Sequence, residues 1–261
     1  MKKTIAMLLV LIMVLAMAGC AGDNNNETTA AQTTAAPETT AAPETTVPET
    51  TAAPEVKVMT YAEYAAAELD AEVVVEFYVQ ATQSWWDNKI VVYGQDADGG
   101  YLAYNLVCSE EDAAKLVPGT KIRVTGFKTE WSGEVEIAEG ATFEFVEAET
   151  WIAEPMDVTS LLGTDELITH QNKKVAFKGL TIEKIEYKNG EPGDDIYVTV
   201  SLNGASYDFC VERYLTDPET DVYKAFAELK AGDVVDMEGF LYWYNGVNTH
   251  ITAVAPVAPA A

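Results

Sequence analysis

The chain is poor in cysteine and histidine, two of the residue types from which catalytic and metal sites are built. Three cysteines in 261 residues are too few for a disulfide scaffold. There are two histidines, His170 and His250, and no HExxH, CxxC, Gly-x-Ser-x-Gly, P-loop or Gly-x-Gly-x-x-Gly pattern. The sequence therefore implies no metal, no cofactor and no enzyme activity. Basic residues are scarce as well, 16 Lys and Arg against 42 Asp and Glu, for a net charge of −26. That sign repels phosphate backbones and disfavours nucleic acid as a partner. Ten prolines are too few for a wholly disordered chain, and 48% hydrophobic residues suffice for real cores. The longest apolar run, Ile5 to Ala18, has fourteen residues. A spanning helix needs about 20.

That run follows Lys2 and Lys3 and ends at Ala18-Gly19-Cys20, the layout of a secretory leader. Leu15-Ala16-Met17-Ala18-Gly19-Cys20 resembles the lipobox of bacterial lipoproteins, with Met17 where that family usually has Leu. The resemblance implies a lipoprotein signal peptide over 1–19 and a diacylglyceryl group on the sulfur of Cys20. It further implies a chain held by lipid on the extracytoplasmic face of the cell membrane. An ordinary secreted protein with an incidental Cys20 is the competing reading.

Residues 20–56 read as a disordered stalk. From Asp23 to Glu55 there is no aromatic residue, and Thr-Thr-Ala-Ala-Pro-Glu recurs at 33–38, 39–44 and 50–55. Such a stretch buries too little apolar surface to offset chain entropy. Setting aside this segment and the leader, residues 57–261 carry −22.

The remainder is a duplication. Leu116, Gly119, Gly126, Phe127 and Gly133 return 113 residues later as Leu229, Gly232, Gly239, Phe240 and Gly246. Upstream the offset is 102, taking Val73 to Val175 and Cys108 to Cys210. An insertion of eleven residues around 216–226 reconciles the two offsets. The repeat predicts domains at 57–150 and 151–257, each mainly β with the same order of elements. That order is a short helix, three strands, a helix, and a final hairpin. Copy one expects strands near 72–83, 89–95, 101–107, 121–130 and 134–138; copy two near 173–185, 196–202, 206–212, 234–244 and 247–254. The intervening helices are expected at 110–116 and 218–229. This order belongs to the OB-fold, a Greek-key barrel. Residues 57–261 resemble the tandem OB-fold domains of bacterial surface lipoproteins, on the stretches 61–70, 83–87, 109–126 and 130–137. The resemblance implies two barrels and no catalytic residues.

OB-folds bind on the face of strands two and three, beside the loops after strands one and four. In copy one these positions hold Trp85, Trp86, Tyr93, Tyr101, Tyr104 and Trp131, the candidate ligand-binding set. For each ring the competing reading is a place inside a barrel or between the domains. Adjacent strand residues point to opposite sides, so Trp85 and Trp86 should diverge. Asp96 and Asp98 before Gly99-Gly100 read as a turn, since the rest of a calcium loop is missing. The expected function is a surface-exposed, non-enzymatic binding protein taking a glycan, a peptide or another surface protein. The alternatives are an oligonucleotide-binding OB protein and a carboxylate-dependent hydrolase of cell-wall glycans.

Overall fold

The computed structural model describes residues 57–258, so Cys20, the leader and the repeats lie outside the described residues. The first half contains α1 (Tyr61–Ala66), β1 (Glu72–Thr82), β2 (Lys89–Gln95), β3 (Gly100–Val107), α2 (Glu110–Ala113), β4 (Lys121–Trp131), β5 (Glu134–Ile137) and β6 (Thr142–Phe145). The second contains β7 (Met156–Asp157), 3₁₀ turns at Thr159–Leu161 and Leu167–His170, β8 (Lys174–Tyr187), β9 (Ile196–Leu202), β10 (Ala205–Val211), α3 (Asp221–Ala225), β11 (Val234–Phe240) and β12 (His250–Pro256).

Both halves close into five-stranded barrels. The neighbour order is β1-β2-β3-β5-β4 with β4 returning to β1, and β8-β9-β10-β12-β11 with β11 returning to β8. Each ring is sealed by one parallel contact, Ala103 to Ile137 and Cys210 to His250. This is the OB arrangement that the element order implied. Two short strands were not foreseen: β6 adds to β4, and β7 runs parallel to β8.

The strands follow from alternation. In β1, Val73, Val75, Phe77 and Val79 are fully buried while Val74, Glu76 and Tyr78 between them are half-buried. β1 pairs with β4 through its first half and with β2 through its second, a coil that closes a small barrel. Two-residue hairpins join strands where both central residues have positive φ: Asp87-Asn88, Ser132-Gly133 and Asn203-Gly204. That is the backbone whose twist matches the flanking strands. The capping box of α1 is complete, with Glu63 N–H donating to Thr60 Oγ1 and Thr60 N–H donating to Glu63 Oε2. At its other end Lys128 Nζ donates to the carbonyls of Tyr64, Ala65 and Ala67, satisfying last-turn acceptors.

The duplicated cysteines are not structural equivalents. Asn105, at φ 49, sits where the β2–β3 register slips between Ile90 and Val92. The β9–β10 ladder has no such slip. One extra residue reverses every later side chain. Cys108 therefore points into the core of barrel one. Cys210 lies between Phe209 and Val211, which point into barrel two, and so faces outward, though it too is buried. Both are free thiols.

The two barrels share one compact unit. Outward residues of β2 and β3, Val91, Tyr93 and Leu102, form a buried cluster with Phe240 of barrel two, edged by Leu215 and Tyr242. Tyr93 stacks on Phe240 with ring centres 4.6 Å apart. The side chains of Gln171 and Asn172 add three hydrogen bonds to the β4–β5 hairpin and β5, at Gly133 O, Val135 N and Val135 O.

Candidate functional site

The six candidate rings do not share one site. Tyr101 is fully buried and packs against Tyr61, Tyr64 and Phe77 at 5.0 to 5.4 Å. Its hydroxyl donates to Asp96 Oδ2 at 2.9 Å. The other oxygen of Asp96 accepts from the backbone N–H groups of Asp98 and Gly99, so this segment is a carboxylate-stabilised turn. Tyr93 is buried in the seam between the barrels. Gln83 Nε2 donates to the Tyr93 hydroxyl at 3.2 Å, and that hydroxyl lies 2.6 Å from His250 Nδ1. Burial drives the His250 pKa down to about 3, so the ring is neutral, and phenol and imidazole share one hydrogen bond. The imidazole also stacks on Tyr242 at 4.1 Å. His250 is thereby a structural residue of the seam.

Trp85 and Trp86 lie between β1 and β2, in different surroundings. Trp85 is half-buried, with Nε1 donating to the Cys108 carbonyl at 2.9 Å. Trp86 is 63% exposed at the Asp87-Asn88 turn. Ser84 N–H donates to the Tyr214 carbonyl of barrel two at 2.7 Å, a strut with a hollow on either side. One hollow, about 420 Å³, is lined by Trp86, Lys89, Tyr104, Asn105 and Tyr214. Tyr104 and Tyr214 are 42% and 53% exposed, so three aromatic faces from both barrels reach solvent around one groove. Lys89 is ion-paired with Glu139, and the Arg213 guanidinium lies 5.1 Å from the Tyr214 ring centre. The second hollow, about 560 Å³, carries Trp85 with Glu110 and Asp217. Tyr214 was missed because it sits beside the insertion peculiar to copy two. Its position after β10 and beside Arg213 was the only signal available.

Trp131 is not part of this groove. It stands at the β4–β5 turn, 54% exposed, and pairs with Tyr244 of barrel two at 5.1 Å.

The seam holds two buried carboxyls, Glu134 and Glu136 on β5. Glu134 Oε2 accepts the Trp243 N–H at 2.8 Å, while Oε1 has no partner among the described residues. Burial pushes Glu134 up to about 8 and Glu136 up to about 7. Burial likewise raises both thiols, Cys108 to about 11 and Cys210 further, which suppresses thiolate chemistry at neutral pH.

No protein-family model matches the chain, and no curated protein does. Solved structures do resemble it. One is described as a murine DNA binding protein bound with ds DNA, 13% identical, with TM-score 0.34 over 72% of this chain and 98% of that one. Another is the Ifi202 HINa domain in complex with 20bp dsDNA, 10% identical, TM-score 0.32, covering 72% and 96%. A third is a replication protein A heterotrimer bound to ssDNA, 11% identical, TM-score 0.29, covering 72% and 49%. At these identities the likeness is one of fold. The expectation that charge sets nucleic acid aside is withdrawn: these chains are described as bound to double- or single-stranded DNA. Net charge is a property of the whole surface, whereas a ligand meets one groove.

Proposed function

We propose that the chain is a non-enzymatic binding protein whose ligand lies in the groove of Trp86, Tyr104 and Tyr214. The observation that carries this reading is the convergence of three exposed rings, from two barrels, on one hollow of about 420 Å³. Aromatic faces beside amide and ammonium groups suit ligands with flat faces and polar edges, such as the sugars of a glycan. Tryptophan fluorescence titrated with soluble cell-wall glycan fragments and peptides tests it. Saturable quenching that is weakened about tenfold in Trp86→Ala and in Tyr214→Ala is expected, a loss of ~1.4 kcal/mol. Absence of any saturable signal across those probes would sink the reading. The lipobox resemblance at Cys20 supports attachment of this binding protein to the outer face of a bacterial membrane.

A short single-stranded oligonucleotide is the second reading. It is favoured by Lys89 and Arg213 beside rings on which bases could stack. One of the solved structures named above is described as bound to ssDNA. A labelled oligothymidine bound at about 50 mM salt, and weakened steeply at about 200 mM, would put this reading first.

A further inference from the structure

We propose that barrel two carries a second site, a cleft for a neutral sugar ring completed by Trp131 of barrel one. The cleft, about 450 Å³, is lined by Asp165, Ser206, Asp208, Tyr244, Asn245 and Asn248 among others. It neither overlaps the groove at Trp86 nor depends on what binds there. The lining combines exposed carboxylates, amides and a hydroxyl with an exposed ring, and none of its residues is basic. Carboxylate and amide oxygens accept from sugar hydroxyls, and the amide NH₂ groups donate to them. The apolar C–H face of a pyranose lies on an aromatic ring. The carboxylates repel anions, which selects a neutral ligand.

What distinguishes this cleft from a chance hollow is how firmly its rim is held. Trp131 and Tyr244, 54% and 50% exposed, stand 5.1 Å apart and tilted by 33°. They come from different barrels, so neither barrel alone presents the pair. Asn245 N–H donates to the Ser132 carbonyl at 2.7 Å, and Trp243 N–H donates to Glu134 at 2.8 Å. Gly133 packs so closely on Trp243 that a Cβ there would fall 2.8 Å from the indole Cδ1. On the polar wall the Thr199 hydroxyl donates to Asp208 Oδ1 at 2.8 Å. Two hairpins are thus locked to each other while their outermost rings remain in solvent, and a rigid, wet aromatic pair is a preorganised binding surface.

The test is ligand-observed NMR and calorimetry on the folded chain with cellohexaose and chitohexaose as probes. Binding with a dissociation constant of about 1 mM or tighter is expected for at least one of them, weakened roughly tenfold in Trp131→Ala and in Tyr244→Ala. Asp208→Asn should weaken it by a smaller factor. Phe127→Ala removes an equally exposed ring from β4, away from the cleft, and should leave binding as it was. Thermal melts show that each variant is folded, and if a ring variant is not, the exposed Asp165→Asn and Asp208→Asn decide the matter. The proposal is overturned if neither sugar binds at about 10 mM. It is equally overturned if binding survives Trp131→Ala with Tyr244→Ala, or is lost in Trp86→Ala instead.

Discussion

Tyr93 of barrel one and His250 of barrel two meet across the seam at 2.6 Å, hydroxyl to Nδ1, both buried. The two barrels are joined at this point by a satisfied polar pair inside an aromatic stack, not by a linker alone.

Tyr93→Phe removes the hydroxyl and leaves His250 Nδ1 and Gln83 Nε2 without their partner. Burying an orphaned polar group costs about 1–3 kcal/mol, so the urea midpoint should fall accordingly. An unchanged midpoint would show that the pair adds nothing to the seam.

Two glycines bear directly on packing. A Cβ on Gly100 would lie 2.2 Å from the Asn172 carbonyl carbon across the seam. A Cβ on Gly239 would lie 2.2 Å from the His250 carbonyl oxygen inside barrel two. The obstacles are backbone in both cases, so Gly100→Ala and Gly239→Ala should each cost about 1–3 kcal/mol or more by overpacking. Gly239→Ala should unfold barrel two, whereas Gly100→Ala should separate barrels that stay folded. Limited proteolysis and amide exchange distinguish these outcomes.

Alkaline pH should weaken the fold through β5. Glu134 and Glu136 have folded pKa values raised to about 8 and about 7 from an ordinary 4.5. Their contribution is complete below about 4.5 and is lost as pH rises through 7 to 8. Glu134→Gln keeps an oxygen for the Trp243 N–H and removes the ionisation, so its melting temperature should fall less between pH 6 and pH 9 than the parent's. Parallel curves for the two proteins would remove Glu134 from the account.

Acid acts through His250. Its pKa is lowered from 6.5 to about 3, so its contribution is present above about 6.5 and is lost as pH falls toward 3. NMR of the imidazole carbons at pH 5 should show a neutral ring, and a charged one would contradict the desolvation of His250 in the seam.

The membrane anchor is tested at one atom. Cys20→Ala removes the sulfur that would carry lipid and should release the protein into the medium with the melting behaviour of the barrels unchanged. A lipid-bearing Cys20→Ala protein still in the membrane fraction would defeat the assignment.

The barrels were legible in the residues because their causes are local. Period-two apolar runs, turn dipeptides and two matched sets of glycines determine strands, hairpins and a duplicated strand order. The matched offsets even anticipate pairing, since Val73 faces Gly126 as Val175 faces Gly239. The aromatic site was only half legible. Tyr93 and Tyr104 both sit on the outward side of their strands, yet one is sealed and the other wet. Alternation assigns a side chain to a face and carries no information about what covers that face. Only the docking of barrel two on β2 and β3 decided that Tyr93 became core, that Trp131 met Tyr244, and that Tyr214 joined Trp86 and Tyr104. The slip at Asn105 was hidden for a similar reason: one residue of bulge, invisible to a repeat alignment, turned Cys108 inward while Cys210 faced out.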